Sequence, residues 1–199
     1  MSFALKIAGV VLAAGEGRRM GRTKQLLPFK GQTIIECVLD NVLESALDQV
    51  IVVLGHQCEL LEPLLQRKGV EMAHNPDYAA GQSTSVKAAL RAIAGTVDAV
   101  LFLLADQPLI SPETINAVLD AYRSSPGRPI VFPVFDHQRG NPVLFSRSTF
   151  SRLELLSGDQ GARPLFEEYA GQALAVPVDD PAVLFDVDTE EDYRALLAR

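Results

Sequence analysis

Positive charge, cysteine, histidine and long apolar runs are all in short supply in this sequence. Lysine and arginine number 18 against 25 aspartates and glutamates, leaving a net charge of −7. That balance argues against a broad surface for nucleic acid or anionic membrane, either of which needs wide positive potential. The most apolar stretch, Ala99 to Ala105, is strand-sized and falls far short of the roughly 20 residues that cross a bilayer. Neither a nucleic-acid partner nor a membrane is expected. The two cysteines, Cys37 and Cys58, lack CxxC spacing and are too few to staple 199 residues. They read as ordinary buried or half-buried thiols, which fits a cytoplasmic address. His56, His74 and His137 form no HxxxH or HxH set, so no zinc site is expected. Met1 to Gly15 imitates a signal peptide, with Lys6 ahead of apolar and then small residues. Its apolar run is short and arginines follow at once, so it reads as a buried first strand.

What is present is an ordinary globular chain, 48% hydrophobic and 22% charged, with no repeat and the length of one domain. Apolar runs predict strands at Ile7–Leu12, Gln49–Leu54, Val70–His74 and Ala99–Leu104. Helical spacing predicts helices over Thr33–Ala46, Cys58–Arg67, Gln82–Ala94 and from Ser111 onward. Thr33 with Glu36 forms a capping box, and Ser111-Pro112 supplies a cap and a first-turn proline. Continuous apolar strands separated by helices imply an α/β fold, a Rossmann-like doubly wound and mostly parallel sheet with helices on both faces. After Pro129 the rhythm changes. Strands are expected at Ile130–Val134, Val143–Phe145 and Leu184–Val187, and helices at Ser146–Leu156, Ala162–Tyr169 and Glu190–Ala198. The reading is a single domain over residues 1–199, with about 1–128 for one ligand and about 129–199 for a second.

The first strand leaves through Leu12-Ala13-Ala14-Gly15-Glu16-Gly17-Arg18-Arg19-Met20-Gly21-Arg22-Thr23-Lys24. Glycines let backbone N–H groups turn inward around phosphate oxygens. Arg18, Arg19, Arg22 and Lys24 concentrate positive charge in an acidic chain, which suits one small polyanion. A Walker loop would need glycine before its lysine, and Thr23 stands there. The dinucleotide fingerprint GxGxxG nearly fits from Gly15, but Met20 replaces its last glycine.

The run LAAGxGxRMGxxKQLLP resembles the signature of the molybdopterin nucleotidyltransferases, most closely their cytidylyltransferase branch. The likeness continues through Asn75-Pro76, Gly81-Gln82-Ser83-Thr84-Ser85, Leu104-Ala105-Asp106-Gln107-Pro108, Arg139-Gly140-Asn141-Pro142, Gly158 to Arg163 and Asp186-Val187-Asp188-Thr189. Serine often stands in that family where this chain has Gly17. The resemblance implies the nucleotide-diphospho-sugar transferase type of fold. It also implies CMP transfer from CTP to the terminal phosphate of molybdopterin or its molybdenum-loaded form, with a molybdoenzyme or its chaperone receiving the product.

The resemblance distributes roles. Leu12, Ala13, Ala14, Gly15, Gly17, Arg19, Lys24, Gly81 and Ser83 would hold the nucleotide, with Lys24, a loop lysine expected to be exposed, and Arg19 offsetting triphosphate charge. Asp106 and Asp188 would hold Mg²⁺, a hard cation that takes one or two carboxylates together with phosphates and water. Asp106 follows the strongest predicted strand and Asp188 the strand expected at Leu184–Val187, the ends at which open α/β sheets bind ligands. Arg139, Asn141 and Arg163 would hold the anionic acceptor. Ala14, where guanylyl-transferring relatives carry glycine, suggests CTP over GTP. Three other readings stay open: a different phosphorylated acceptor, a nicotinamide-dependent oxidoreductase on the near-GxGxxG loop, and a non-catalytic carrier. Paired carboxylates speak against the carrier, which has no need of them.

Overall fold

Alternation along the first strand decides the architecture. In β1 (Ile7–Ala13), Ile7, Val11 and Ala13 enter one core cluster while Ala8 and Val10 enter another. Successive side chains of a strand point to opposite faces, so a strand apolar at every position must be covered on both. The computed structural model describes residues 5–17, 20–93, 97–159 and 161–199.

The loop after β1 leads to two short paired strands, β2 (Pro28–Phe29) and β3 (Gln32–Thr33). Then come α1 (Ile34–Glu44), β4 (Gln49–Leu54), α2 (Cys58–Lys68), β5 (Glu71–His74), α3 (Gln82–Ala92), β6 (Ala99–Leu104) and α4 (Pro112–Ser124). β1 lies parallel between β4 and β6, and β5 extends the parallel set beyond β4. Helices α1, α2 and α4 cover one face, and α3 covers the other. α1 alone buries Ile35, Val38, Leu39 and Val42 on its sheet-facing side. Each such side chain is worth about 1.5–3 kcal/mol. Both expected caps form. The Thr33 side chain accepts from the Glu36 N–H while Glu36 accepts from the Thr33 N–H, and Ser111 accepts from the Thr114 N–H with Pro112 opening α4.

The last third departs from the parallel pattern. β7 (Ile130–Phe135) and β8 (Gln138–Arg139) form a hairpin whose turn holds Asp136 and His137 at positive φ. β9 (Val143–Ser146) then inserts antiparallel between β6 and β7. Two short helices follow, α5 (Phe150–Glu154) and α6 (Arg163–Glu168). They join α3 on its face of the sheet through Leu153 and Leu165. With a last strand, β10 (Leu174–Pro177), the sheet is mixed but mostly parallel, in the order β10-β7-β9-β6-β1-β4-β5 with β8 beside β7.

Its edge corrects one expectation. Leu184–Val187 is not a strand. Pro181–Leu184 forms a 3-10 turn capped by Asp180, and the Phe185 N–H returns to the Ala182 carbonyl. The strand lies upstream as β10 (Leu174–Pro177), parallel to β7, with burial alternating along an exposed edge. The closing helix α7 (Glu190–Leu197) follows a Thr189–Asp192 capping box. A small third cluster joins Leu27, Phe29 and Ile34 to Val187 and Leu196. It holds the C-terminal segment against the loop that follows β1.

Candidate active site

The carboxyl ends of β1 and β6 open into a cleft of about 650 Å³, lined among others by Gly15, Gly17, Lys24, Ser85, Asp106 and Asp188. The loop from β1 folds back on itself because the N–H groups of Met20 and Gly21 both donate to the Gly17 carbonyl. Gly17 sits at φ 59°, and a Cβ there would lie 2.7 Å from the Arg22 carbonyl oxygen. Glycine is therefore demanded at this position. On the opposite wall Gly81 has φ 110°, and a Cβ would lie 2.5 Å from the Gly158 backbone. That approach lets Gly158 accept from the Ser83 N–H, and lets the Asp159 carboxylate accept from the Gln82 N–H at the start of α3. A distant loop thus caps the helix, and Asp159 itself lines the cleft.

At the floor, Lys24 Nζ donates to Asp106 Oδ2 at 2.5 Å and to Asp188 Oδ1 at 2.7 Å. The lysine side chain is 11% exposed, which overturns the expectation of an exposed loop cation. Burial by itself lowers the lysine pKa, but the charges and hydrogen bonds of Asp106 and Asp188 outweigh it and hold Lys24 above its ordinary value. Asp186 is half-buried nearby. Burial, then the negative charges of Asp106 and Asp188, push its carboxyl above the usual range.

Asp188 reaches this floor without a strand beneath it. The Val187 N–H donates to the Asp106 carbonyl at 3.1 Å while the Val187 side chain is fully buried. The Asp188 N–H is held by Asp192.

The oxygen Oδ1 of Asp106 is buried without a hydrogen-bond partner among the described residues, and so are the side-chain oxygens of Gln25 and Gln107. An orphaned carboxylate oxygen beside a second carboxylate suits a hard divalent cation. The donor set fits the metal that the sequence reading expects.

A second cleft of about 320 Å³ adjoins the first and shares Leu12, Gln82 and Leu104 with it. Arg139, Asn141 and Arg163 line it together with Phe102, Phe145 and Phe166. The Arg139 guanidinium lies 3.8 Å from the centre of the Phe166 ring. Burial and then the neighbouring Arg163 charge lower the Arg139 pKa. Two like charges are held side by side, as an anion would favour.

The structure thus brings Leu12, Ala14, Gly15, Gly17, Lys24, Gly81, Asp106 and Asp188 to one cleft and Arg139, Asn141 and Arg163, the residues expected to hold the acceptor, to the next. Ala13 is buried in the core, and Ser83 is buried behind the wall that Ser85 faces. Arg18, Arg19 and Gln160 lie outside the described residues. Tyr78, Gln25, Asp159 and Asp186 were not singled out from sequence. Gln25 and the two aspartates carried a signal there, since each lies in a quoted motif, whereas Tyr78 lies in none.

Residues 9–174 match the MobA-like NTP transferase domain. The chain belongs to that family. It is 33% identical to the purine catabolism protein PucB of Bacillus subtilis over 94% of each chain. It is 30% identical to the nicotine blue oxidoreductase of Paenarthrobacter nicotinovorans over 96% of each. Identity to the molybdenum cofactor cytidylyltransferase of Escherichia coli is 25% over 92% of each. Among solved structures, the Rv0371c protein of Mycobacterium tuberculosis in complex with manganese superposes with a TM-score of 0.83 at 31% identity, covering 97% of this chain and 98% of that one. A MobA-like nucleotidyltransferase fold is shown, and the manganese complex of a relative points to divalent-metal use. No helix among the described residues is long and apolar enough to cross a membrane.

Proposed function

We propose that this MobA-like chain transfers CMP from CTP to the terminal phosphate of molybdopterin or its molybdenum-loaded form, releasing pyrophosphate. The observation that carries the reading is the adjacency of two unlike clefts. One is built on Lys24, Asp106 and Asp188, and the other on two arginines and an aromatic wall. A triphosphate suits the first, and a flat ring system ending in a phosphate suits the second.

The chemistry asks for little covalent work. A phosphate monoester has a second pKa of about 6, so the acceptor arrives as a nucleophile and needs no general base. An acceptor phosphate oxygen forms a bond to the α-phosphorus of CTP. The opposite phosphorus–oxygen bond breaks, and its electron pair leaves on pyrophosphate. Arg139, Asn141 and Arg163 orient the acceptor. Lys24, already charged, offsets the negative charge that builds on the triphosphate, with Arg19 assisting. Asp106 and Asp188 would hold Mg²⁺, which supplies Lewis-acid polarisation of phosphoryl oxygens. Leu12, Ala14, Gly15, Gly17 and Gly81 shape the nucleotide seat, with Ala13 and Ser83 acting through the backbone behind it. Residues 1–128 serve mainly the nucleotide and 129–199 mainly the acceptor, with Asp159 and Asp188 reaching across. The setting is cytoplasmic, and a molybdoenzyme or its chaperone takes the product.

The test is turnover of the whole chain with Mg²⁺ and each of CTP, GTP, ATP and UTP, offered molybdopterin or a sugar phosphate. Pyrophosphate release with formation of a nucleotide adduct is expected to be fastest with CTP and molybdopterin. Turnover only with the sugar phosphate would move the acceptor, and no turnover with any pair would sink the reading.

The similarity to a nicotine blue oxidoreductase favours a second reading, reduction by a nicotinamide cofactor seated on the near-GxGxxG loop. Hydride transfer makes no use of paired carboxylates around a lysine, which ranks it second. Hydride transfer from NADH or NADPH without pyrophosphate release would promote it.

A further inference from the structure

At the β5 edge of the sheet, three donors from two elements converge. Cys58 opens α2, Glu62 lies one turn later on the same helical face, and His74 ends the edge strand β5. One ligand atom from each lies within 4.8 Å of the other two. Glu62 and His74 already form a pair at 3.7 Å. We propose that Cys58, Glu62 and His74 form a site for a divalent transition metal of the zinc class, separate from the carboxylate floor of the cleft.

The donor types select the ion. Sulfur, imidazole nitrogen and one carboxylate oxygen form a borderline-soft set. Mg²⁺ and Ca²⁺ prefer oxygen donors and find only one carboxylate here. Zinc bonds of 2.0–2.3 Å put tetrahedral ligand atoms about 3.3–3.8 Å apart. The Glu62–His74 pair already has that spacing, and the other separations, all within 4.8 Å, need to shorten by about 1–1.5 Å at most to reach it. Binding exchanges the thiol proton of Cys58 for the metal, the proton passing to buffer, and leaves a fourth position open to water.

The site also lies at a mechanically informative point. Helix α2 has no side-chain cap, since Gln57 stands before it in the left-handed region and makes no cap bond. The Gln57 side chain is instead engaged by the Thr23 hydroxyl, next to Lys24. The His56 N–H donates to the Ala14 carbonyl. After His74, Asn75 is buried and donates to the hydroxyls of Thr84 and Ser85, the latter on the cleft wall. A metal at Cys58 and His74 would tie an uncapped helix to the edge strand and steady the segments that reach Ala14 and Ser85 in the cleft wall.

The test uses the full chain, reduced and stripped of metal, with Mg²⁺ in excess to fill oxygen sites. Zn²⁺ is titrated calorimetrically, and Co²⁺ is added as an optical probe. The expected result is one ion per chain and a thiolate-to-cobalt charge-transfer band. Cys58→Ser should abolish the band. Cys58→Ser and His74→Gln should each weaken Zn²⁺ binding at least 10-fold, while Asp106→Asn should leave it unchanged. Absence of Zn²⁺ binding, a band that survives Cys58→Ser but not Cys37→Ser, or loss of binding in Asp106→Asn would each overturn the proposal.

Discussion

Lys24 sits where two negative charges would otherwise face each other. Asp106 and Asp188 approach its ammonium from two segments far apart in sequence, and Asp186 adds a third carboxyl close by. Its folded pKa is raised, so its stabilising effect is complete below the unfolded value near 10.4 and is lost as pH rises through the folded value. It therefore acts throughout the neutral range. Lys24→Ala should lower stability by about 1–3 kcal/mol, less than a fully buried pair would lose because Asp188 is 34% exposed. A divalent ion should return much of that loss by neutralising the same carboxylates. Thermal melting with and without Mn²⁺ decides it. A variant melting like the parent in both would remove Lys24 from the charge balance.

The neighbouring Ala14 bears on base choice in a subtler way. It lines the cleft but is only 5% exposed, and a Cβ on Gly55 would fall 2.8 Å from its methyl group. Much of the methyl therefore faces Gly55 and not the nucleotide. Ala14→Gly should narrow the CTP-to-GTP ratio of kcat/KM by about 10-fold, the low end for one methyl group, without reversing it. An unchanged ratio would place base selection elsewhere.

Helix α1 shows how a local signal becomes an element. Its capping box holds the Glu36 carboxyl below the usual range, first through the Thr33 hydroxyl and then through the Thr33 N–H. A depressed folded pKa gives stability that is present above the unfolded value of about 4.3 and is lost as pH falls through the folded value. Glu36→Gln keeps the box but not the charge. The melting temperatures of parent and variant should differ most near neutrality and converge as pH falls to about 3. A gap that persists in acid would mean the contribution is packing alone.

Such signals made the first two-thirds legible: Thr33 with Glu36, Ser111 with Pro112 and unbroken apolar strands each mark their own element. The C-terminal edge was not legible, for a physical reason. Leu184-Phe185-Asp186-Val187 is apolar at three of its four positions, as a short strand can be, yet its hydrogen bonds go to a turn and to the Asp106 carbonyl. The true strand, Leu174–Pro177, is short, half-exposed and ends in proline, as an edge strand can. Asp188 was thus singled out while the means of its placement was not. Lys24 was likewise singled out as a phosphate partner, but its burial between carboxylates depends on contacts across 82 and 164 residues that no local pattern records.

Across the whole molecule, the N-terminus of α3 joins the two clefts. Gln82 lines both, and its backbone N–H is capped by Asp159 from the loop that leads to Arg163. The proposed nucleotide and acceptor seats therefore share a wall but not these charged groups. Lys24, Asp106 and Asp188 belong to one, Arg139 and Arg163 to the other. Removing either arginine should leave the fold intact, because it also removes the repulsion that lowers the Arg139 pKa. A hydrogen bond to a charged group contributes about 1.5–3 kcal/mol, so Arg139→Ala and Arg163→Ala should each raise the acceptor KM by about 10- to 150-fold. Arg139→Ala should sit toward the larger effect, since it also loses the stacking on Phe166 that orients the guanidinium. The KM for CTP should stay within about twofold, because neither side chain lines the nucleotide cleft. Initial rates over a grid of CTP and acceptor concentrations separate the two constants. Parallel rises in both would mean that the shared wall couples the seats, and a rise in the CTP constant alone would move the acceptor out of the second cleft.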